Sequence, residues 1–524
     1  MKTTNPLPLL LLFFTVPIGC QNGASIQTST PDPLFVLADE GRISTDRGAT
    51  RGVGWADPDS DGDPDLVIAN TSGQWNGVYL NRGEGRLPSH SRFLKESDQN
   101  LSPFGSVASA GGNAEGVGWI DFDGDGDLDL HLVTRGPEPD LLFANGGEHG
   151  FIRVLEGPLV ESRSHTMACW ADVDLNGWPD VFLVGYREDG TNALLANLGA
   201  GQFEVMQSSG VGGGTGAGRA CAWGDPNGDG LPDLVVGNAE APNELYWNRG
   251  GFVFERDERA LHLAQHTAYT YGLSWADFDG DGDQDLFVAN FDTTNVLYRN
   301  DDGGHLEPVL DGPLATDPGG ASKGHAWADF DLDGDLDLFV ANGTYGPDMR
   351  NFLYLNQGDG EFLRGETGVL AEHADTSAGV AWADYDGDGD PDVFVGNWGS
   401  SDQVNRLYRN MATEQFDRGW LQLFLQSATP NTRGLGAVVN VLATIRGRSR
   451  WATRWHNPTT GYGSQNDEVV HFGLDDAPGV DSVVIRWPSG RVDRIGPLSG
   501  RGIWTIEEGG RVEPGRNPPS GSSN

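Results

Sequence analysis

Between residues 50 and 410 the chain repeats one pattern of apolar and polar positions. A glycine- or alanine-rich approach leads to a tryptophan, then a dense acidic stretch, then an apolar run such as "DLFVAN" (285–290). A variable stretch follows, then "LYxN" or a relative, a Gly-rich turn, and an aromatic-led run such as "GQFEVM" (201–206) or "GEFLRG" (360–365). Trp55, Trp119, Trp170, Trp223, Trp275, Trp327 and Trp382 mark seven copies. Each copy reads as four short strands with no helical period. A four-stranded unit of this size buries its faces only against its neighbours, which predicts a β-propeller. A linear β-solenoid would have shorter rungs. The seventh copy runs through "NRLYRN" (405–410) but lacks a clean fourth strand, and "PLFVLADEG" (33–41) resembles the missing piece. That segment is expected to complete the last blade and remove the open edges.

The fold class is therefore all-β: a seven-bladed β-propeller over 34–411, with a small β domain behind it over 415–508. The second domain follows from the alternation in "WLQLFL" (420–425), "AVVNVLATI" (437–445), "EVVHFGL" (468–474) and "SVVIRW" (482–487). His471 within it reads as a packed histidine. The Gly/Pro/Ser-rich residues 509–524 are expected to form a disordered tail.

Composition supports this picture, with 77 glycines and 29 prolines in 524 residues. The formal charge of −42 argues against nucleic acid or an anionic bilayer as partner. Residues 1–20, "MKTTNPLPLLLLFFTVPIGC", read as an export signal: a positive start, then an apolar run too short to span a bilayer. The ending resembles a bacterial lipoprotein signal, with Cys20 as the lipidated residue and 21–33 as a linker. Pro17 departs from the usual residue at its position, so cleavage by an ordinary signal peptidase is the alternative. The expectation is export, either as a lipoprotein at the outer membrane or cell surface, or facing the periplasm, or as a secreted protein. Cys169 and Cys221 stand one and two residues before equivalent tryptophans of neighbouring copies, which predicts opposite strand faces and two buried free thiols.

The acidic stretches carry the candidate chemistry. Counted from the Asp two residues after each tryptophan, positions 1, 3, 5 and 9 are Asp, with Asn in two cases. The sets are Asp57, Asp59, Asp61 and Asp65; Asp121, Asp123, Asp125 and Asp129; Asp172, Asp174, Asn176 and Asp180; Asp225, Asn227, Asp229 and Asp233; Asp277, Asp279, Asp281 and Asp285; Asp329, Asp331, Asp333 and Asp337; and Asp384, Asp386, Asp388 and Asp392. Position 6 is always Gly. Position 7 varies: Asp63, Asp127, Asp283, Asp335 and Asp390, but Trp178 and Leu231. Oxygen ligands at 1, 3, 5 and 9, a sharp turn at 6 and a backbone carbonyl at 7 suit Ca²⁺ better than the smaller, more hydrated Mg²⁺. A carbonyl ligand explains why position 7 tolerates any side chain. Without an ion, such clustered carboxylates raise one another's pKa. About seven structural calcium sites are expected, each in a β-hairpin.

In such a propeller the acidic hairpins gather at one rim and the variable loops at the other, where a rigid scaffold displays binding residues. Those loops carry Trp75, Tyr186, Phe291, Tyr345 and Trp398, with His266, Tyr269, Tyr271, Lys323, His325 and His373 in nearby inter-blade loops. Aromatic residues among polar ones suit a glycan or an extracellular protein. The recurrent asparagines read as turn formers and the seven tryptophans as inter-blade packing. No hydrolase, zinc-protease or phosphate-loop motif is present.

The "DxDxDGxxD" hairpins with "GxGxW" before them resemble FG-GAP (VCBS-type) repeats of integrin-α-like propellers. "NTRGLGAVVNV" (431–441), "GYGSQND" (461–467), "VVHFGL" (469–474) and "VVIRWPSG" (483–490) resemble the ASPIC/UnbV domain, which follows such a propeller in the cartilage acidic protein family. The resemblance implies a calcium-binding extracellular protein and supplies no catalytic residues. The expectation is a monomeric calcium-binding propeller that adheres to a glycan or protein. It touches membrane only through its anchor and binds no nucleic acid. The alternatives are a polysaccharide lyase or hydrolase and a structural envelope component.

Overall fold

The computed structural model describes residues 33–516 apart from 84–92, 96–104, 109, 162–163, 187–190, 212–217, 260–262, 264–266, 302, 318, 344–348, 366–368 and 400–402. The expected signal, Cys20 and linker lie outside the described residues, as do Tyr345 and His266. No helix among the described residues is long and apolar enough to cross a membrane.

Seven antiparallel sheets follow one another. Their innermost strands are Thr50–Ala56, Ala114–Ile120, His165–Ala171, Gly218–Gly224, Thr270–Ala276, Ser322–Ala328 and Ser377–Ala383. Each packs beside the next and the last beside the first, so the ring is closed. The fourth strand of blade 7 is Phe35–Leu37, paired antiparallel with Arg406–Asn410. Every second strand begins at the position-9 aspartate, as in Asp285–Asn290, so the acidic hairpin is the direct link between strands 1 and 2.

Apolar clusters fill the spaces between blades, and the repeat tryptophans cross them. Trp223 Nε1 donates to the Cys169 carbonyl (2.9 Å) and Trp382 Nε1 to the Trp327 carbonyl (3.0 Å). This stacking also corrects the cysteine expectation: Cys169 and Cys221 form a disulfide between blades 3 and 4. Neighbouring blades meet face to face. Opposite faces of consecutive innermost strands are therefore the ones that point at each other, and the offset in sequence brings the sulfurs together.

Residues 419–514 build a sandwich of two four-stranded sheets around Leu421, Leu423, Val439, Val441, Ile485 and Trp487. Its last strand is Arg511–Pro514, so the expected tail is ordered as far as Arg516, and 517–524 lie outside the described residues. The Arg516 side chain is only 4% exposed and binds Asp467 (2.8 Å) and Glu468 (3.4 Å). The ordering follows from that buried ion pair, which composition does not reveal.

Residues 456–469 leave the sandwich and enter the propeller axis. The short strand Ser464–Gln465 pairs in parallel with blade 1 at Gly54. Val117 N–H donates to the Gly463 carbonyl (3.0 Å), Trp119 N–H to Gln465 Oε1 (2.7 Å) and Trp382 N–H to Asn466 Oδ1 (3.0 Å). Backbone groups that innermost strands would turn to water are thus satisfied by the inserted segment. Gly463 sits at φ +54°, and a Cβ there would lie 2.7 Å from the Glu115 carbonyl. Only glycine fits this approach.

Candidate metal centres

All seven position-6 glycines, from Gly62 (φ 96°) to Gly389 (φ 102°), adopt positive φ. The resulting turn points the glycine N–H back at the position-1 carboxylate: Gly177 to Asp172 (2.9 Å), Gly230 to Asp225 (3.0 Å), Gly334 to Asp329 (2.8 Å). The position-7 N–H donates to the position-5 side chain, as from Asp283 to Asp281 (2.9 Å) and from Trp178 to Asn176 (2.7 Å). Trp178 and Leu231 therefore hold the same backbone pose as the aspartates elsewhere. Position 9 is fixed from both sides. Asp285 accepts from Phe278 N–H (3.1 Å) and from Asn300 N–H (2.8 Å), and Asp129, Asp180 and Asp337 repeat the arrangement.

The donor set fits a hard cation. Carboxylate oxygens of Asp121, Asp123 and Asp129 lie within 4.8 Å of one another, as do those of Asp172, Asp174 and Asp180, and of Asp277, Asp279 and Asp285. Buried oxygens of Asp65, Asp172, Asp225, Asp233, Asp277 and Asp384 have no hydrogen-bond donor. Burial, then neighbouring carboxylates, push these groups up: Asp57, Asp121, Asp225 and Asp277 to about 6, Asp172 and Asp384 to about 7, and Asp180 and Asp233 to about 8. Asp285 reaches about 9. Buried oxygens without donors, on carboxylates that resist ionising alone, form a nest of the kind that suits a divalent ion.

Two features of these centres escape sequence reading. The first is the "LYxN" asparagine. Its Oδ1 does accept a turn N–H, as expected, but its Nδ2 reaches the previous blade's acidic loop. Asn300 bonds the Pro226 carbonyl (2.8 Å), Asn248 that of Val173 (2.9 Å) and Asn81 that of Tyr385 (2.8 Å). Invariance at all seven copies is the signal that a mere turn former would not need. The second is the C-terminal domain, which lies on the acidic rim and bonds the loops directly. Thr432 Oγ1 donates to Asp121 (2.6 Å), Gln422 Nε2 to Asp384 (2.7 Å) and Gly473 N–H to Asp329 (3.0 Å). Arg418 and Arg450 pair with Asp331 and Asp335 (both 2.9 Å). His471 is buried against Trp382, its Nε2 3.1 Å from the Gly389 carbonyl.

On the opposite rim the expected aromatic set divides. Trp75 is 67% exposed, in a two-residue strand paired with Gly111–Gly112. Tyr186, Phe291 and Trp398 instead surround the axis and face cations. Lys323 Nζ lies 3.8 Å from the Trp398 ring centre and 5.3 Å from that of Phe291, and Arg219 lies 4.6 Å from that of Tyr186. Tyr271, Lys323 and His325 belong to innermost strands and not to loops. His325 is fully buried between Ser274 (2.6 Å) and Phe287, so it is a packing residue.

Comparison with known proteins matches the FG-GAP-like repeat at residues 57–132, 172–236, 225–288, 277–340 and 329–395, and the ASPIC and UnbV domain at 427–513. Cartilage acidic protein 1 of Homo sapiens is 26% identical over 93% of this chain and 76% of its own length; that of Mus musculus is 26% identical over 84% and 71%. Among solved structures, the BP39L lectin of Burkholderia pseudomallei aligns with a TM-score of 0.46 at 13% identity, covering 70% of this chain and 97% of the lectin.

Proposed function

Because the chain belongs to the FG-GAP-like repeat family and carries an ASPIC and UnbV domain, we propose that it is an exported, calcium-stabilised propeller that binds a glycan or protein at the cell surface, held there through Cys20. The observation that carries this reading is the asymmetry of the two rims. The acidic rim is repeated, internally bonded and covered by the C-terminal domain, which suits structural ions. The other rim presents aromatic and cationic side chains that none of the ladder bonds requires.

With a Kd on the order of 10⁻⁴ M and about 1 mM Ca²⁺, each ion adds roughly 1.4 kcal/mol, or about 10 kcal/mol over seven sites. That equals the whole stability of an ordinary domain. The test is retention of the full chain on a panel of polysaccharides and matrix proteins, in 1 mM calcium and in chelator, with release of products assayed in the same wells. Calcium-dependent retention without products is the expected result. Product formation would overturn the binding reading in favour of an enzyme. An unchanged melting temperature in chelator would overturn the calcium assignment.

A further inference from the structure

Each innermost strand slips register against its neighbour at the same place. The breaks fall between Thr50 and Gly52, Ala114 and Gly116, His165 and Met167, Gly218 and Ala220, Thr270 and Gly272, Ser322 and His325, and Ser377 and Val380. A bulge leaves one residue out of the ladder and re-aims its side chain. The bulged residues include Arg51, Glu115, Arg219, Tyr271 and Lys323, from five different blades. Their contacts run across blades and place them together at the axis. Arg51 of blade 1 binds Glu115 of blade 2 (2.7 Å) and lies 4.1 Å from the ring centre of Trp398 in blade 7. Lys323 of blade 6 faces that same ring at 3.8 Å. Tyr462, in the inserted segment, lies beside them with its ring centre 5.4 Å from that of Tyr271 and donates its hydroxyl to Glu115.

The charges here do not balance. Arg51 and Arg135 share Glu115, Arg135 at 3.0 Å. Arg219 and Lys323 have no carboxylate within ion-pairing distance among the described residues, although they are 7% and 2% exposed. Nε of Arg51, Nε of Arg219 and Nε1 of Trp398 are buried without acceptors. Buried cations are ordinarily paired, because an unpaired one loses its hydration for nothing. Burial together with Arg51 and Arg135 holds the Lys323 ammonium well below its usual range, so the cluster resists its own charge. Among the described residues, a chain of formal charge −42 thus sets four basic side chains against one carboxylate on its axis.

We propose that this axial mouth binds an oxyanion, the carboxylate or sulfate of an acidic saccharide entering end-on, with Lys323 and Arg219 as its counter-ions. The inference rests on the glycan-binding reading above and gives it a ligand class. End-on entry follows from the field of the molecule. A polyanion lying along the acidic surface is repelled, whereas one acidic group on the axis meets the cations within a Debye length of about 8 Å. The half-buried rings of Tyr186, Tyr271 and Phe291 supply apolar walls of the kind that pack on a sugar face.

The test is calorimetric titration of the full chain in 1 mM calcium with sodium glucuronate, sodium sulfate, and glucose as neutral control, at matched ionic strength. Saturable binding of glucuronate, absent for glucose and weakened at least tenfold in Lys323→Met and in Arg219→Gln, is expected. Binding of sulfate but not glucuronate would keep the oxyanion site and overturn the saccharide as its source. Lys323→Met is also expected to melt higher than wild type in anion-free buffer, and to lose the upward shift that the anion gives wild type. If neither anion binds to protein that calcium visibly stabilises, the axial site is refuted while the calcium propeller stands.

Discussion

Gly463→Ala tests whether the inserted segment is part of the propeller's stability. At φ +54° an alanine costs about 1–2 kcal/mol relative to glycine. The added methyl would also meet the Glu115 carbonyl at 2.7 Å and Gly116 Cα at 2.9 Å. Both are backbone atoms of a paired strand, so relief requires a backbone shift worth about 1–3 kcal/mol. Withdrawal of the segment would avoid that strain, but it would break nine bonds. They include Val117 N–H to Gly463, Trp119 N–H to Gln465, Trp382 N–H to Asn466, and Thr460 Oγ1 to the His325 carbonyl (2.7 Å). At about 1 kcal/mol each these outweigh the strain. The segment therefore stays seated and the variant loses about 2–5 kcal/mol. Guanidinium unfolding in 1 mM calcium measures the loss, with Gly496→Ala, an exposed position with no neighbour within 4 Å, as control. A Gly463→Ala midpoint equal to the control's, with unchanged amide exchange at Val117 and Trp119, would refute the assignment of the segment as a seated plug.

Three further outcomes are expected. Asn300→Ala removes the bonds to the Pro226 and Gln284 carbonyls (2.8 and 3.0 Å) and one from Gly304 N–H (2.8 Å), costing about 2–4 kcal/mol in chemical unfolding; a smaller effect than that of an exposed Asn→Ala would deny the inter-blade clamp. Reduction of Cys169–Cys221, which spans 52 residues, lowers stability by about 4 kcal/mol on the loop-entropy model, read as a shift in melting temperature with and without reductant. Burial lowers His325 to about 3 and His456 and His471 to about 4, so between those values and about 6.5 the unfolded chain binds more protons and stability falls as pH falls. At pH 5 in saturating calcium each costs about 2 kcal/mol; stability flat from pH 7 to 5 would contradict it.

Where sequence reading succeeded and where it failed has a physical pattern. The propeller and the acidic loops were legible because seven copies make each requirement visible. Gly at position 6 is forced by its φ, Asp at position 9 by two backbone donors, and free choice at position 7 by the use of its backbone alone. The disulfide was missed because strand parity was read within one sheet, whereas the sulfurs meet between two. Arg516 was missed because a single buried ion pair outweighs the low apolar content of the segment around it. The axial cluster was illegible for a related reason. Arg51, Glu115, Arg219, Tyr271 and Lys323 follow no one residue type, so no repeat signal marks their position; only the bulge common to their strands gives them one direction.

The C-terminal domain links the two ends of the molecule energetically. On one side it bonds position-1 carboxylates of the acidic loops, at Asp121, Asp329 and Asp384, and Arg516 lies 3.7 Å from Asp57. On the other its Tyr462 reaches Glu115 and Arg51 at the axial mouth, through a segment held by innermost strands of blades 1, 2, 6 and 7. An ion that organised a position-1 carboxylate would also organise an acceptor for the domain, so on the proposed calcium reading ion binding and domain docking favour each other by the same free energy in both directions. A docked domain in turn fixes Tyr462, and Tyr462 fixes the carboxylate that divides the axial cations between paired and unpaired. On the calcium-binding reading proposed above, ion occupancy on the covered rim would therefore be coupled to the charge pattern at the axial mouth, although no ion would touch it.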